Sequence, residues 1–550
     1  MRKTQILPFI GALIASFVVI LAGAAAIAHA GQPEAVIWTD YDFKNIPEPK
    51  VRTIGMYDSA FRSEFADPIK RATDVPRWVR MAAGNPKQAA NVNSLDEVPD
   101  SSWFTNRHAL RHMTVAQLVR GPNRGAAPDF TKVTVTKAKL EGVTPGLQIT
   151  DATGQQFLIK FDNKNYPELQ SGAEVISTKI LYAAGYNVPE NYVAYLNSEK
   201  LSIKEGVEFT EGGKKRALKQ EDLANMLRNV ARRPDGTYRV LASKILDGKA
   251  KGPFAYVGLR GDDPNDLIPH EHRRELRGLR VLASWINQWD LKELNTLDMY
   301  VEEGGRKFLR HYLIDFGSSL GGGRTPTEYF HGREYAFDKG NILKELFSLG
   351  LVVTPDEKST PIVYPEVGIF SANDFDPGDW KPSFQMVPFD NMTREDAFWA
   401  TRIIMSFSDD DLLNIVKAAE YSNPKATDYI FRTLLDRRQQ IATYWLRDLN
   451  PLSSFAVVMG KDGPEVAFED LMSNHDLASK AQYRYEIWKS EGWTKSEISD
   501  VTRVPLGKTF DGQMRLRIST IRNNKASKPV ILVVQSKTAG AYGLVRIERS

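Results

Sequence analysis

The chain has 550 residues, of which 42% are hydrophobic and 25% charged, and its formal net charge is +4. These fractions are typical of globular proteins, and the length exceeds that of one ordinary domain. So small a net charge argues against a nucleic-acid-binding surface spread over the whole protein, and we expect no nucleic acid among its partners. The sequence has no cysteine, so it forms no disulfide.

The first 30 residues differ from the rest. Arg2 and Lys3 precede an apolar run over residues 6–28, which overlaps the A-x-A pattern Ala28-His29-Ala30. This is the pattern of a cleaved signal peptide. The run is also long enough to be an uncleaved membrane anchor. We therefore expect an exported protein, periplasmic or extracellular, or one that its N-terminal segment attaches to a membrane.

Residues 31–130 form a predicted N-terminal extension. The segment is rich in Pro, Asp, Asn and Arg and lacks a strong hydrophobic period. We interpret it as a wrapping segment that packs on the next domain. Within it, Thr114 is a suitable N-cap for one helix over residues 113–119.

Residues 131–200 read as a small lobe. Three β-rich segments are predicted, at Lys132–Leu140, Leu147–Thr150 and Gln156–Asp162. Gly142 and Gly146 lie in the turn between the first two, where backbone amides can approach phosphate groups. Lys160 lies on the third segment, so a cation follows the glycine-containing turn.

A helix is predicted over Ser171–Ala184, closed by Gly185, and a strand follows at Tyr192–Leu196. Glu174 lies one turn inside the helix and is our candidate partner for Lys160. Glu168, in the preceding loop, is the alternative. A glutamate near a helix N-terminus also complements the helix dipole without any further role.

Residues 201–450 are assigned to a large lobe with insertions. The Lys/Arg-rich stretch over residues 201–270 is read as an insertion between the lobes. An amphipathic helix then runs from Glu271 to Trp289. Further helices are predicted at Arg394–Phe407, Asp409–Ala419 and Pro424–Leu446.

Two carboxylates and a carboxamide follow the amphipathic helix. Asp290 and Asn295 lie five residues apart, and Asp315 follows the apolar segment Tyr312-Leu313-Ile314. Mg²⁺ prefers oxygen ligands and takes few of them from protein when phosphates are present, which suits Asn295 and Asp315. Phosphoryl transfer also needs a carboxylate facing the acceptor hydroxyl, a role suited to Asp290.

The last hundred residues, 451–550, change in character. Short strand-like segments separated by turns recur there, at Tyr483–Trp488, Met514–Ile518, Val530–Val534 and Leu544–Ile547. This spacing predicts a small all-β, sandwich-like domain with an accessory role in binding or packing.

These motifs together resemble the protein-kinase-like superfamily. Asp290-Leu291-Lys292 with Asn295 is similar to the kinase catalytic loop, and Asp315-Phe316-Gly317 to the metal-binding D-F-G. The passage A-A-G-Y-N-V-P after the small-lobe helix resembles the atypical branch that contains HipA-like and phosphoinositide 3-/4-kinase-like proteins. Gln288 and Trp289 replace the usual His and Arg, and no A-P-E motif follows.

The resemblance implies an α+β, bilobal kinase-like fold over residues 131–450, with ATP and Mg²⁺ or Mn²⁺ in the cleft. It assigns Lys160 to the phosphates, Glu174 to holding that lysine, and Asp290 and Lys292 to catalysis. Asn295 and Asp315 become the metal ligands.

We therefore expect an exported or membrane-anchored phosphotransferase acting on an unknown protein, lipid or sugar acceptor. Export suits a kinase poorly, because a periplasm holds little ATP. A catalytically inactive kinase-fold scaffold at the cell envelope is the alternative.

Overall fold

The structure is a computed structural model. It describes residues 36–139, 145–323, 332, 333, 335, 361–447, 449–489, 492–537 and 540–549. No helix in these ranges is long and apolar enough to cross a membrane. The predicted signal peptide or anchor at residues 1–30 lies outside the described residues, as does Gly142.

The N-terminal extension packs on both lobes, with backbone hydrogen bonds from Thr105 to Gly185 and from Arg52 to Lys251. Its helices are α1 (Met56–Phe61), α2 (Asp67–Ala72), α3 (Val75–Ala82), α4 (His108–Arg111) and α5 (Val115–Arg120), with a π-helical turn at Arg62–Ala66. Thr114 caps α5 through a reciprocal pair of hydrogen bonds with Gln117, which confirms the predicted cap. Trp103 stacks on His311 of the large lobe with 3.6 Å between ring centroids, so the extension is anchored by an aromatic contact.

A six-stranded sheet forms the small lobe. Its elements are β1 (Val133–Lys139), β2 (Gly146–Thr150), β3 (Gln156–Phe161), α6 (Leu169–Ala184), β4 (Asn191–Leu196), β5 (Leu201–Ile203), the hairpin β6 (Glu208–Glu211) and β7 (Lys214–Ala217), α7 (Gln220–Leu227) and β8 (Tyr238–Lys244). The strand order is β4-β8-β3-β2-β1-β5, antiparallel except for the parallel pair β1–β5.

The small lobe is larger than predicted. Strand β8 lies between β3 and β4 and pairs with both, so the lobe boundary expected at residue 200 falls too early. Strands β5 and β8 belong to this sheet, and the hairpin β6–β7 and helix α7 lie between them in the chain, so residues 201–244 are not an insertion between lobes. Since five of the seven residues of β8 are buried, the strand lacks the alternating pattern that marks a half-exposed strand.

The large lobe begins with a short strand, β9 (Lys249–Ala250), which pairs with β10. Its other elements are α8 (Arg274–Ile286), β10 (Thr296–Glu303), β11 (Arg306–Leu313), α9 (Val387–Asp390), α10 (Arg394–Met405), α11 (Asp409–Lys417) and α12 (Pro424–Leu446). Helices α6, α8, α10 and α12 contribute to one hydrophobic core, which joins the two lobes.

Helix α8 ends three residues earlier than predicted. Asn287 adopts a left-handed conformation with φ 51°, which terminates the helix. Arg437 of α12 donates hydrogen bonds to the carbonyl oxygens of Ser284 and Trp285 and so satisfies the helix end. This cap fixes the point at which the chain turns into the loop that carries Asp290.

The C-terminal region is β-rich. Its elements are β12 (Leu452–Met459), β13 (Pro464–Asp470), α13 (Leu471–Asn474), β14 (Gln482–Lys489), β15 (Gly492–Trp493), β16 (Glu497–Ser499), β17 (Arg503–Pro505), β18 (Gln513–Arg522), β19 (Lys525–Ala526), β20 (Val530–Ser536) and β21 (Tyr542–Arg549). A three-stranded sheet, β12-β13-β17, and a larger sheet around β14, β18, β20 and β21 share one hydrophobic core. The four predicted strands are present as β14, β18, β20 and β21, whereas β12, β13, β15, β16, β17 and β19 were not predicted.

Candidate active site

Three separate elements bring one lysine and two carboxylates together. The Nζ of Lys160, on β3, lies 2.6 Å from Glu174 Oε1 on α6 and 2.8 Å from Asp315 Oδ1 after β11. Glu174 is almost fully buried, whereas the Asp315 side chain is 51% exposed. The lysine therefore joins a buried anchor to a carboxylate that remains open to the space between the lobes.

The pKa values of this trio follow from burial and charge. Burial opposes the charged form of Lys160, but the two carboxylates outweigh it and raise the lysine pKa above its usual value. Lys160 in turn lowers the pKa of Asp315. Burial raises the pKa of Glu174, and the attraction of Lys160 only partly offsets this. The ionised state of Glu174 thus depends on its lysine partner.

Glu174 has partners besides Lys160. Asn191, the first residue of β4, donates its side-chain amide to Glu174 Oε2 at 3.3 Å and to Thr178 Oγ1 at 2.8 Å. The backbone of Phe316 also lowers the pKa of Glu174, less strongly than Lys160 does. Glu168, the alternative candidate, instead accepts a hydrogen bond from the backbone N–H of Ser422. The geometry therefore pairs Lys160 with Glu174.

The second cluster lies on the loop after α8. Lys292 Nζ is 2.8 Å from Asp290 Oδ2. Asn295, in a short 3₁₀ turn, donates its amide to the Asp290 carbonyl oxygen at 2.7 Å and to Asp290 Oδ2 at 3.3 Å. These contacts fix the position of the Asp290 carboxylate.

The two clusters are adjacent because β10 and β11 pair. Thr296, which begins β10, lies opposite Leu313, which ends β11. The backbone N–H of Ile314 donates to the Asn295 carbonyl oxygen at 3.0 Å, so Asn295 and Asp315 flank one end of the hairpin.

Gln288 and Trp289 add a second connection. The Gln288 amide donates to the Asp315 carbonyl oxygen at 3.1 Å, and the Trp289 indole donates to the Gly322 carbonyl oxygen at 3.2 Å. A β-carbon on residue 323 would lie 2.6 Å from the Trp289 ring, so the position of this ring requires glycine at 323. The two residues that depart from the kinase pattern thus join the Asp290 loop to the Asp315 loop, a role that the sequence did not reveal.

Asp315 itself has a left-handed backbone conformation, with φ 64°. This conformation costs a non-glycine residue of order 1–3 kcal/mol and persists where the surroundings impose it. Here the carbonyl contact to Gln288 and the ion pair with Lys160 hold Asp315 from two sides. Such strain is common at functional sites.

Of the two predicted glycines, only Gly146 is described. It begins β2 and lies directly opposite Lys160 in the sheet. A β-carbon there would approach the Ile159 carbonyl oxygen at 3.3 Å, so the position favours glycine on packing grounds alone. The proposed contact of Gly142 and Gly146 with phosphate stays a prediction.

The oxygen donors suit a magnesium ion that also binds phosphates. Among the residues described, no three His, Cys, Asp or Glu side chains form a group that could hold a metal by themselves. Mg²⁺ at a phosphate site needs only one or two protein oxygens, which Asp315 and Asn295 offer. Since Lys160 contacts Asp315 Oδ1, ligation through that oxygen requires the lysine to move.

Comparisons with known proteins give distant similarities. No protein-family profile and no curated sequence matches the chain. The Helicobacter pylori proinflammatory kinase CtkA aligns with 58% of this chain and 99% of its own, at 13% identity and a TM-score of 0.32. The golgi casein kinase aligns with 75% of this chain and 96% of its own, at 10% identity and a TM-score of 0.28. The chain thus has a distant structural similarity to protein kinases, too low to carry an argument about its function.

Proposed function

We propose that the protein is a phosphotransferase that moves the γ-phosphoryl group of ATP to a hydroxyl acceptor with Mg²⁺ or Mn²⁺. We place it in the atypical kinase-like branch, and at the cell envelope, exported or membrane-anchored. The acceptor class, whether protein, lipid or sugar, stays open.

One observation carries the proposal. Lys160 Nζ, on a strand, bridges Glu174 of the next helix and Asp315, which lies 155 residues further along the chain. Hydrogen bonds through Gln288 and Asn295 hold the Asp290–Lys292 pair next to that trio. A cation for the phosphates, two oxygen donors for a metal ion and a carboxylate for the acceptor hydroxyl are the groups that phosphoryl transfer requires.

Each residue then has a distinct task. Lys160, oriented by Glu174, binds the α- and β-phosphates of ATP. Asp315 and Asn295 hold the metal ion, which neutralises charge on the phosphates. Asp290 accepts the proton of the acceptor hydroxyl as its oxygen attacks the γ-phosphorus and ADP leaves. Lys292 holds Asp290 and neutralises charge on the transferred group.

Thermal melting tests the proposal. A ligand that binds only the native state stabilises it by about 2.7 kcal/mol at 100 times its Kd. ATP with Mg²⁺ or Mn²⁺ should therefore raise the melting temperature of the wild type. The Asp315→Ala variant should lose the metal-dependent part of the shift, while Asp511→Ala, a matched change of an exposed aspartate, should keep it.

No shift at millimolar ATP, with either metal, contradicts the proposal and favours the inactive scaffold. An equal shift in wild type and Asp315→Ala contradicts the assignment of the metal site.

A further inference from the structure

The helices α2 and α3 expose an unusual amount of apolar surface. Of the 24 large apolar side chains that the described residues leave exposed, five lie on these two helices: Ile69, Val75, Trp78, Val79 and Met81. Val75, Trp78 and Val79 of α3 are 65%, 54% and 63% exposed, and they occupy one face at helical spacing. Neither helix contains a buried residue. Contiguous exposed apolar surface of this kind marks an interaction site.

The same two helices carry cations into a large cavity. Lys70, Arg71, Arg77 and Arg80 line a cavity of about 1080 Å³ between these helices and the large lobe. Arg71 is paired with Asp390, but the buried Nε of Arg80 has no hydrogen-bond partner among the described residues. Arg77 lies over the Trp78 ring at 5.6 Å, so a cation and an interfacial aromatic side chain are adjacent.

The cavity is positively charged overall. Eight lysine or arginine side chains line it, against five carboxylates. One of the eight, Arg277, is fully buried and paired with Asp396, which leaves an excess of two cations. Guanidinium groups bind phosphate oxygens in a two-pronged geometry, so the lining suits a phosphate-bearing ligand.

We propose that α2 and α3 form a membrane-docking surface for an anionic phospholipid bilayer. The cavity receives a phosphate head group, while Val75, Trp78 and Val79 enter the interfacial layer. Helices with cations on one face and Trp or aliphatic residues on the other lie in this layer. The apolar run over residues 6–28, only 28 residues before α1, is the other segment of the chain suited to a membrane.

Docking in this way also places the candidate active site near the bilayer. Asp67, Val257 and Val387 line both the cavity and a narrow pocket that reaches residues 291–294 of the Asp290 loop. The inference stands on surface and charge and does not depend on the phosphotransferase proposal.

The absence of cysteine permits a site-specific test in the full chain. Val79→Cys and, as control, Val501→Cys each provide one site for a nitroxide label; Val501 is 62% exposed in the C-terminal region. Accessibility to oxygen and to a water-soluble nickel complex is measured with vesicles of phosphatidylcholine, with or without phosphatidylglycerol. Because both variants keep the N-terminal apolar run, its insertion alone does not distinguish the two labels.

With anionic vesicles, the label at position 79 should become shielded from nickel and more accessible to oxygen, while the label at 501 stays in water. Adding Arg77→Glu and Arg80→Glu should reduce the docked fraction roughly tenfold or more, because each cation contributes to attraction by an anionic surface. Arg484→Glu with Lys489→Glu, a matched charge reversal in the C-terminal region, should leave it unchanged.

A label at position 79 that stays exposed to nickel on every vesicle overturns the proposal. So does docking that is insensitive to Arg77→Glu and Arg80→Glu. If inositol hexakisphosphate binds wild type but not the charge-reversed variant, and position 79 never leaves water, the cavity belongs to a soluble polyphosphate and not to a membrane.

Discussion

Replacing Lys160 by methionine should destabilise the protein in a pH-dependent way. The substitution keeps most of the apolar length of the side chain but removes the cation that lies 2.6 Å from the buried Glu174 carboxylate. Burial already raises the pKa of Glu174, and Lys160 is the main influence that lowers it. Without the lysine, the folded-state pKa of Glu174 rises further, and the carboxyl group takes up a proton.

The size of the destabilisation follows from the free-energy cost of keeping Glu174 protonated. Keeping a carboxyl group protonated costs about 1.4 kcal/mol for each pH unit above its unfolded pKa of roughly 4.3. The cost is therefore about 3.7 kcal/mol at pH 7 and about 1 kcal/mol at pH 5. The first value agrees with the roughly 3–5 kcal/mol expected when one partner of a buried ion pair is removed.

The sign is fixed by linkage. Since the folded pKa of Glu174 lies above the unfolded value, the folded state binds more protons between the two pKa values. The stability of Lys160→Met thus falls as pH rises through that window. Below the unfolded pKa, the penalty disappears.

Urea unfolding of wild type and Lys160→Met at pH 5 and pH 7 measures the effect. The difference in unfolding free energy should grow by up to about 2.7 kcal/mol between the two pH values. The double variant Lys160→Met, Glu174→Gln should lose this pH dependence, because it has no carboxyl group to protonate. An equal penalty at both pH values, or a pH dependence that survives Glu174→Gln, would refute the reasoning.

Three other changes test other parts of the account. Asp290→Asn should abolish turnover of ATP yet keep the ATP-dependent rise in melting temperature, because Asp290 is not a nucleotide ligand; loss of both contradicts its role. Arg62→Ala removes a 3.2 Å contact with Glu293 of the loop that carries Asp290. This variant should have a kcat several-fold lower and an unchanged KM for ATP, because the contact holds the loop that carries Asp290. A change in KM alone is evidence against this role of Arg62. Gly172→Ala puts a β-carbon 2.2 Å from the Tyr421 hydroxyl. The unfolding free energy should fall by about 1–3 kcal/mol, as in other overpacked cores, and an unchanged value contradicts the close packing.

The sequence anticipated the elements that follow a simple rule. The helix α6 and strands β1 to β4 have the expected period, and their ends agree within two residues. The helix α12 has the predicted bounds, Pro424–Leu446, with Asn423 as its N-cap and Pro424 as its first residue. In these cases, the local residue preferences and the pattern of buried apolar residues indicate the same element.

Other elements could not be predicted, for physical reasons. Helices α1 to α3 have six to eight residues each, which is too short for a helical period to emerge. Strand β8 is hidden because it is buried on both faces and lies in a stretch rich in charged residues. Its place between β3 and β4 depends on pairing over long range.

The candidate site, too, could be predicted only in part from the sequence. The motifs singled out Lys160 with its partner Glu174, and Asp290, Lys292, Asn295 and Asp315. They did not reveal the supporting contacts of Gln288 and Trp289. Asn191 supports Glu174 from the next strand, and its sequence context gives no sign of this. Spatial partners of this kind become visible only once the elements are assembled.

The most direct test of the central claim is a calorimetric titration of ATP into wild type and Asp315→Ala, with and without Mg²⁺. We predict that Mg²⁺ strengthens ATP binding to the wild type and has no such effect on Asp315→Ala. Binding of ATP that is equally strong with and without Mg²⁺, or no binding at all, would contradict the claim that these residues form a metal–nucleotide site.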